Sequence, residues 1–331
     1  MKVSVIMPVY NKAPFVKEAI DSVLNGSFQD FEIVCVDDRS TDNSVQVIQG
    51  INDPRVRLML LQTNLGPAGA ANRCMDEARG EYLVRLDADD LAVPDRLAKQ
   101  VAYMDAHTDI VASGGHLQLF GARDRLWKFP LQHDDCMANL LFGVPVSQGA
   151  SIMRRSVIEE LGLRYDPAWP RVGEDWLFWL RLSRIGRFGN LDEAMTLYRR
   201  GEQNISHGRD KSEDFAELTR RVFSFFGIPL TETQLDLQLL AGKIFRRTPD
   251  AEMVRALRRW LDQLRTTNAQ QRLFPSEAFE RRLTTAWDEL FHFLADRNSG
   301  AAFAHLRISG RWPWDRVSYL AKRRLKAILR H

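Results

Sequence analysis

Cysteine is scarce: Cys35, Cys74 and Cys136 are the only three in 331 residues. None has metal-ligand spacing, and the odd count argues against a disulfide framework. Net charge is nearly absent, at +3 from 46 Lys and Arg against 43 Asp and Glu. With no nucleic-acid-binding motif in view, that balance gives no reason to expect a nucleic-acid partner. Long apolar runs are missing as well, and none approaches the ~20 residues that span a bilayer. The chain runs from Met1 straight into an apolar strand, which leaves no secretory leader, so a cytoplasmic protein is expected. There is no G-x-G-x-x-G turn after that strand, which ends Pro8-Val9-Tyr10-Asn11. That argues against a dinucleotide-dependent oxidoreductase.

What is present is an ordinary globular composition, 45% hydrophobic and 27% charged, long enough for one large domain and an appendage. Residues 1–105 alternate strands with helices, which implies a parallel sheet covered on both faces. Strands are expected over 2–9, 31–36, 56–61 and 81–86, and helices over 14–24, 44–51, 66–78 and 94–107. Residues 106–209 read as a mixed region. It has strand pieces at 109–113, 116–120, 151–153 and 188–198, and helices at 137–142, 156–161 and 176–185. From residue 210 the pattern turns helical, with segments near 212–227, 231–246, 250–266 and 276–297. The expected division is a domain over 1–209 and a helical region over 210–331.

The densest chemical signal is Arg85-Leu86-Asp87-Ala88-Asp89-Asp90 at the exit of strand 81–86. Three carboxylates within four residues are costly to bury without a counter-charge. A hard divalent cation, which takes oxygen ligands and leaves room for substrate phosphates, is their natural partner. A solvated turn or a helix cap is the plain alternative. The carboxyl edge of such a sheet is where ligands bind.

Further segments occur in order: Pro8-Val9-Tyr10-Asn11, Asp37-Asp38, Asn64-Leu65-Gly66, Arg79-Gly80-Glu81-Tyr82 and Glu174-Asp175-Trp176-Leu177. Together with Asp87-Ala88-Asp89, they resemble the family 2 inverting glycosyltransferases of the GT-A fold over about residues 2–207. The resemblance implies an α/β domain that moves a sugar from a nucleoside diphosphate, UDP first, to a saccharide hydroxyl with the help of Mn²⁺ or Mg²⁺. Asp89 and Asp87 would serve the metal. Asp38 would meet the base, with Pro8, Tyr10 and Asn11 lining its pocket. Asn64, Gly66, Asn72, Arg85 and Ala88 would complete the nucleotide-sugar site. Asp175, ahead of Glu174, would take the proton from the acceptor; helix capping is the alternative role for either acid. Arg199 and His207 are weaker candidates on a late loop. Gly201 there, and Gln148 before a short strand, each replace a histidine that relatives carry.

The tail 311–330 places Trp314, Val317, Leu320, Ala321, Leu325, Ile328 and Leu329 broadly on one helical face and fills the rest with Lys and Arg. That pattern suits an anionic membrane surface, and with it a lipid-linked saccharide acceptor and a peripheral location at the inner face of the cell membrane. An ordinary packed helix is the alternative. Two other functions stay open: sugar transfer to a polyprenyl phosphate, and a nucleotide-sugar-binding module without catalysis.

Overall fold

The computed structural model describes residues 1–122, 124–169, 173–201 and 210–328. The first elements are β1 (Val3–Val9), α1 (Val16–Leu24), β2 (Phe31–Asp37), α2 (Ser44–Gln49), β3 (Val56–Leu60), α3 (Gly66–Glu77) and β4 (Tyr82–Arg85). Next come β5 (Leu91–Ala92), α4 (Arg96–Ala106), β6 (Ile110–Gly121), β7 (Arg125–Trp127), α5 (His133–Asn139), a 3-10 turn over Gln148–Ala150, β8 (Ile152–Arg154), α6 (Arg155–Glu160), α7 (Glu174–Leu182) and β9 (Arg187–Arg200). The remainder is helical: α8 (Ser212–Phe225), α9 (Glu232–Ala241), α10 (Ala251–Gln271), α11 (Ser276–Asp288), α12 (Leu290–Arg297), α13 (Ser299–Ser309) and α14 (Trp314–Ile328).

The chain divides into two compact units, residues 1–136 with 144–209, and residues 137–143 with 210–331. The first holds a mixed sheet in the order β3-β2-β1-β4-β8-β6-β9-β5, with β7 paired to β6. β3, β2, β1 and β4 run parallel. β8 is antiparallel to both β4 and β6. The near-continuous apolar content of β1 and β2 follows from burial on both faces. The chain leaves β1 towards β2 and β3, then returns to place β4 on the other side of β1. The carboxyl ends of β1 and β4 therefore flank a topological switch point, where open α/β sheets leave a crevice.

β6 is one strand, although its sequence reads as two pieces. Its pairing with β9 shifts register around Gly114 and His116. A Cβ on Gly115 would lie 2.5 Å from Met195 Cγ and 2.8 Å from the Glu193 carbonyl. Glycine is required there by close approach, and the apparent break in the apolar pattern is an irregularity inside a strand.

At the amino ends of β1 and β2, a buried carboxylate ties the sheet together. Glu32 Oε1 accepts from Ser4 Oγ at 2.7 Å and from the Arg79 amide at 2.9 Å, while Oε2 pairs with Arg57 at 2.6 Å. The Gly80 amide donates to Ser4 Oγ at 2.7 Å, and a Cβ on Gly80 would lie 2.4 Å from the Ser4 nitrogen. The Arg79-Gly80 turn is thus a seal on the sheet edge opposite the switch point.

In the second unit, α10 lies against α9, α11 and α13. Gln238 explains why 137–143 belongs here: it donates to the Leu141 carbonyl at 2.6 Å and accepts from Trp260 Nε1 at 3.0 Å. Arg282 donates to Asn139 Oδ1 at 2.8 Å and stacks over Phe142 at 4.2 Å. The expected single helix over 276–297 is two, α11 and α12. An eleven-residue helix, α13, follows them, its amino end capped by Asn298 Oδ1 accepting from the Gly300 and Ala301 amides.

Burial would raise the Glu32 carboxyl, but bonds from Ser4, Arg57 and the Arg79 amide outweigh it and hold it below its usual value. Its stabilisation is therefore present above the unfolded carboxylate range and lost as pH falls through the lower folded value. Glu32→Ala is expected to cost about 3 kcal/mol in urea denaturation at neutral pH. The deficit relative to the parent should shrink as the parent is acidified.

Candidate active site

The loops after β1, β2 and β3 lie side by side because the strands do. The loop after β1 is fastened to the loop after β2. Asn11 adopts a left-handed φ of 52°, its amide donates to Ser40 Oγ at 2.9 Å, and its Oδ1 accepts from the Thr41 amide at 2.8 Å. The Lys12 amide donates to Ser44 Oγ at 2.8 Å and the Ala13 amide to Asp42 Oδ2 at 3.0 Å. Pro8 is half-buried and Tyr10 is 48% exposed, so a flat, accessible ring sits at the mouth of this corner.

Asp38 Oδ1 accepts from the Leu65 amide at 2.6 Å, and Asn64 Nδ2 donates to the Asp38 carbonyl at 2.8 Å. Burial raises the Asp38 carboxyl, against the opposing pull of the Leu65 and Gly66 amides. Asp38 and Asn64 thereby fix the turn into α3. Gly66, at φ 73° with open space around its Cβ position, lets that turn close with nothing projecting above it.

Across the switch point, the acidic segment leaves β4. Arg85 grips Asp87 Oδ1 with Nε at 2.9 Å and Nη2 at 2.8 Å. Its Nη1 is buried with no hydrogen-bond partner among the described residues. Asp89 Oδ2 pairs with Lys12 Nζ at 2.6 Å. Asp90 is fully buried, its Oδ1 accepting from the Arg199 amide at 2.8 Å and its Oδ2 unpartnered among the described residues. Burial raises Asp89 and, more strongly, Asp90, whose neighbours Asp87 and Asp89 add repulsion. Ala88 turns its methyl into the core.

A buried arginine and a half-buried one support this loop. Arg96 donates to the Arg85 carbonyl at 2.7 Å, Thr196 Oγ1 at 2.9 Å and Gln100 Oε1 at 3.0 Å. Burial lowers its guanidinium to about 9, opposed by the charges of Asp90 and Asp87. Arg199 donates to the Asp89 carbonyl at 2.9 Å and to Glu18 at 2.6 Å, between the rings of Phe15 and Phe120 at 4.9 and 4.5 Å. Arg199 is built into the floor of the site, and its guanidinium is engaged there. His207 lies outside the described residues.

The other pair of acids opens α7. Gly173 has φ 98° and precedes Glu174, so the helix begins at the two acids themselves, two residues before the expected start. Asp175 Oδ1 accepts from the Trp176 amide at 2.9 Å. Burial raises both carboxyls, Asp175 to about 7 with Glu174 adding to it; Arg85 pulls Glu174 the other way and Asp87 pushes both up. These mutual charges make Asp87, Arg85, Glu174 and Asp175 one electrostatic unit.

Asn72 reaches this unit indirectly. Its Nδ2 donates to the Tyr165 carbonyl at 2.9 Å and its Oδ1 accepts from the Tyr165 amide at 2.8 Å. Tyr165 in turn stacks on Phe178 of α7 at 4.7 Å between ring centres. The amide of Asn72 is spent on bracing α7.

The residues suit a divalent cation of the kind that keeps water and phosphate ligands. A Cβ on Gly149 would lie 3.6 Å from both Asp87 Oδ2 and Asp90 Oδ2, so these hard oxygens face one spot. One of them is a buried acceptor without a partner. No group of three or more His, Cys, Asp or Glu able to hold a metal occurs among the described residues. The protein would contribute one or two carboxylates and leave the remaining positions to the ligand, as magnesium sites with phosphates do.

The parallel β3-β2-β1-β4 half-sheet, continued by β8, β6 and β9 and carrying acids at the β4 exit, is the GT-A architecture. S. aureus TarS 1-349, solved in complex with UDP-GlcNAc, superposes with a TM-score of 0.59 at 21% identity over 95% of this chain and 93% of that one. The mannosyltransferase PcManGT of Pyrobaculum calidifontis, in complex with GDP-Man and Mn²⁺, superposes with a TM-score of 0.51 at 19% identity over 99% of this chain and 87% of that one.

The family model described as glycosyl transferase family 2 matches residues 4–162. The putative glycosyltransferase EpsE of Bacillus subtilis is 33% identical over 201 residues, 59% of this chain and 71% of that protein. The succinoglycan biosynthesis protein ExoO of Rhizobium meliloti is 33% identical over 187 residues, 53% of each chain. This chain belongs to glycosyl transferase family 2, and it is a glycosyltransferase.

The sequence reading passed over Lys12 and Arg96. Lys12 adjoins the Tyr10-Asn11 turn, and Arg96 follows the acids by one turn of chain, so proximity in sequence was the available signal. Asn72→Ala is expected to lose about 2 kcal/mol of stability in thermal or urea denaturation. Because the loss acts through α7, turnover in glycosyl transfer should fall along with it.

Proposed function

We propose that this glycosyltransferase moves a sugar from a UDP-sugar to a saccharide hydroxyl with inversion, using Mn²⁺ or Mg²⁺, in the assembly of a surface polysaccharide. The observation that carries the reading is the single electrostatic unit formed by Asp87, Arg85, Glu174 and Asp175. It couples the acids that would face a metal–diphosphate to the acids that would face an acceptor. The UDP-GlcNAc of TarS, the Mn²⁺ of the mannosyltransferase and the succinoglycan pathway of ExoO support donor, metal and setting in turn.

In this reading the base lies against Tyr10 and between the 10–11 and 64–66 turns, with the Asp38 carboxylate beneath. Asp89 and Asp87 would hold the metal, which would supply Lewis-acid stabilisation of charge on the diphosphate. Asp175 accepts the proton of the attacking hydroxyl. Its raised affinity for a proton suits a general base near neutral pH, and its bond from the Trp176 amide fixes one oxygen while the other remains available. Direct displacement with one base gives inversion.

A second surface belongs to the setting. Trp312 and Trp314 are 51% and 80% exposed, next to the basic helix α14, on which Lys322 and Arg323 are exposed. No helix among the described residues is long and apolar enough to cross a membrane. α14 packs on α12 and α13 with Leu320 buried, and Tyr319 and Arg323 both engage Asp296. The apolar face expected for a membrane is thus partly taken up by the protein itself. We propose that the exposed tryptophans and the outward basic face of this tail rest on an anionic membrane and bring the enzyme to a lipid-linked saccharide. Trp312→Ala with Trp314→Ala is expected to abolish co-sedimentation with phosphatidylglycerol vesicles, and the parent's binding should weaken with salt.

The transfer test is a screen of UDP-sugars against saccharide and lipid-linked saccharide acceptors with Mn²⁺ or EDTA. The expected product appears only with metal. Since the base works ionised, kcat/KM should rise with pH through about 7, and Asp175→Asn should lower kcat by about 10²–10⁴ while UDP affinity holds. An equal loss in Glu174→Gln with a retained pH profile in Asp175→Asn would transfer the role to Glu174. Transfer to a bare polyprenyl phosphate, or UDP binding with no transfer to any acceptor, would replace this reading with one of its alternatives.

A further inference from the structure

Three buried polar atoms beside the acids have no hydrogen-bond partner among the described residues: Arg85 Nη1, Gln148 Nε2 and the Tyr165 hydroxyl. They belong to one cluster. The Gln148 amide and the Arg85 guanidinium both act on the Tyr165 phenol, and both favour its ionised form. Arg85 clasps Asp87 Oδ1, and a Cβ on Gly149, the residue after Gln148, would lie 3.6 Å from Asp87 Oδ2. Arg85 and Tyr165 are 4% and 1% exposed and form the buried side of the cluster. Gln148 is half-buried and the Asp87 side chain is 32% exposed, so these two form its accessible side.

Each of the three residues is fixed by its neighbours, which leaves the polar atom itself unspent. Gln148 opens a 3-10 turn whose carbonyls are all engaged: that of Gln148 accepts from Ser151 Oγ at 2.8 Å, that of Gly149 from Thr196 Oγ1 at 2.9 Å and that of Ala150 from Gln100 Nε2 at 2.7 Å. Tyr165 is held through its backbone by Asn72 and through its ring by Phe178. Arg85 is held by Asp87 through Nε and Nη2. A buried donor without an acceptor is costly, and a ligand that supplies the acceptor recovers that cost. All three groups can donate. They suit an oxygen that accepts more than one hydrogen bond and has no proton of its own to place, which is a carbonyl and not a hydroxyl. A sugar carboxylate fits less well. Glu174 and Asp175 act on the same phenol, and Asp87 already occupies Arg85, so a further anion would be repelled.

We propose that Gln148, Tyr165 and Arg85 form a subsite for the acetamido carbonyl of the transferred sugar, so that the donor is a UDP-linked 2-acetamido sugar. The inference rests on the UDP-sugar reading above and deepens it. The 2-acetamido group stands on the carbon next to the one that bears the diphosphate. A diphosphate at the acidic segment therefore brings its carbonyl to the side of Asp87 where the three donors lie. Selection then works through hydrogen bonding. A sugar with a hydroxyl in that place leaves buried donors unpaired, and a site built to make such bonds rejects the ligand that cannot complete them.

The test is calorimetric titration of the full chain in Mn²⁺ with UDP and with two matched pairs of donors. The pairs are UDP-N-acetylglucosamine against UDP-glucose, and UDP-N-acetylgalactosamine against UDP-galactose; UDP-glucuronic acid is the charged control. An acetamido donor is expected to bind about tenfold or more tighter than its hydroxyl counterpart. Tyr165→Phe keeps the ring and its stack, and Gln148→Leu keeps the bulk. Each is expected to shrink that preference several-fold while the affinity for UDP holds. If UDP binds and the parent prefers neither acetamido donor, or prefers UDP-glucuronic acid, the subsite is overturned and the UDP-sugar reading stands. The same follows if both variants keep the parent's preference, or if both weaken every ligand alike, which would mark a structural role. If neither UDP nor any UDP-sugar binds, the UDP-sugar reading fails and the subsite fails with it.

Discussion

Carboxylate repulsion at the exit of β4 is the constraint around which the first unit is arranged. Asp87, Asp89 and Asp90 lie within four residues, with the poorly hydrated Glu174 and Asp175 coupled to them by charge. Removing such groups from water is unfavourable unless each meets a cation or a hydrogen-bond donor. The chain answers with residues drawn from distant elements: Lys12 after β1, Arg85 in β4, Arg96 in α4 and Arg199 in β9. Each of these also fastens the segment it comes from. Arg96 ties the end of β4 to β9 through Thr196, and Arg199 ties β9 to α1 through Glu18. Charge compensation and strand assembly are the same set of contacts.

Much of this was legible in the sequence because it is local or periodic. The βα alternation over residues 1–105 marks the parallel half-sheet, and the three acids after an apolar strand mark the edge where the candidate site lies. Contacts between residues far apart in the chain were not legible. Asn72 lies in a motif that suggests ligand contact, yet its amide is consumed by the Tyr165 backbone, 93 residues on. Arg199 reads as a mobile-loop cation and is packed between two aromatic rings. β6 reads as broken because Gly114 and Gly115 interrupt its apolar pattern, and the need for glycine arises from Met195 and Glu193 on its neighbour β9. In the second unit, α13 was missed although Asn298 is an ordinary capping residue, since the run of Ala and Gly behind it carries little amphipathic pattern.

The two ends of β1 are braced by different means. At its amino end, Ser4 and Glu32 are saturated: every oxygen that faces the Arg79-Gly80 turn has a donor, and glycine is required by a backbone approach of 2.4 Å. A network satisfied in this way is expensive to open. At its carboxyl end, Asn11 and Lys12 are fixed to the loop after β2, and the Lys12 side chain reaches across to Asp89. Acids crowded at the exit of β4 without a cation or a donor would oppose the fold around them, and the segments tied together after β1, β4 and β9 are those that supply them.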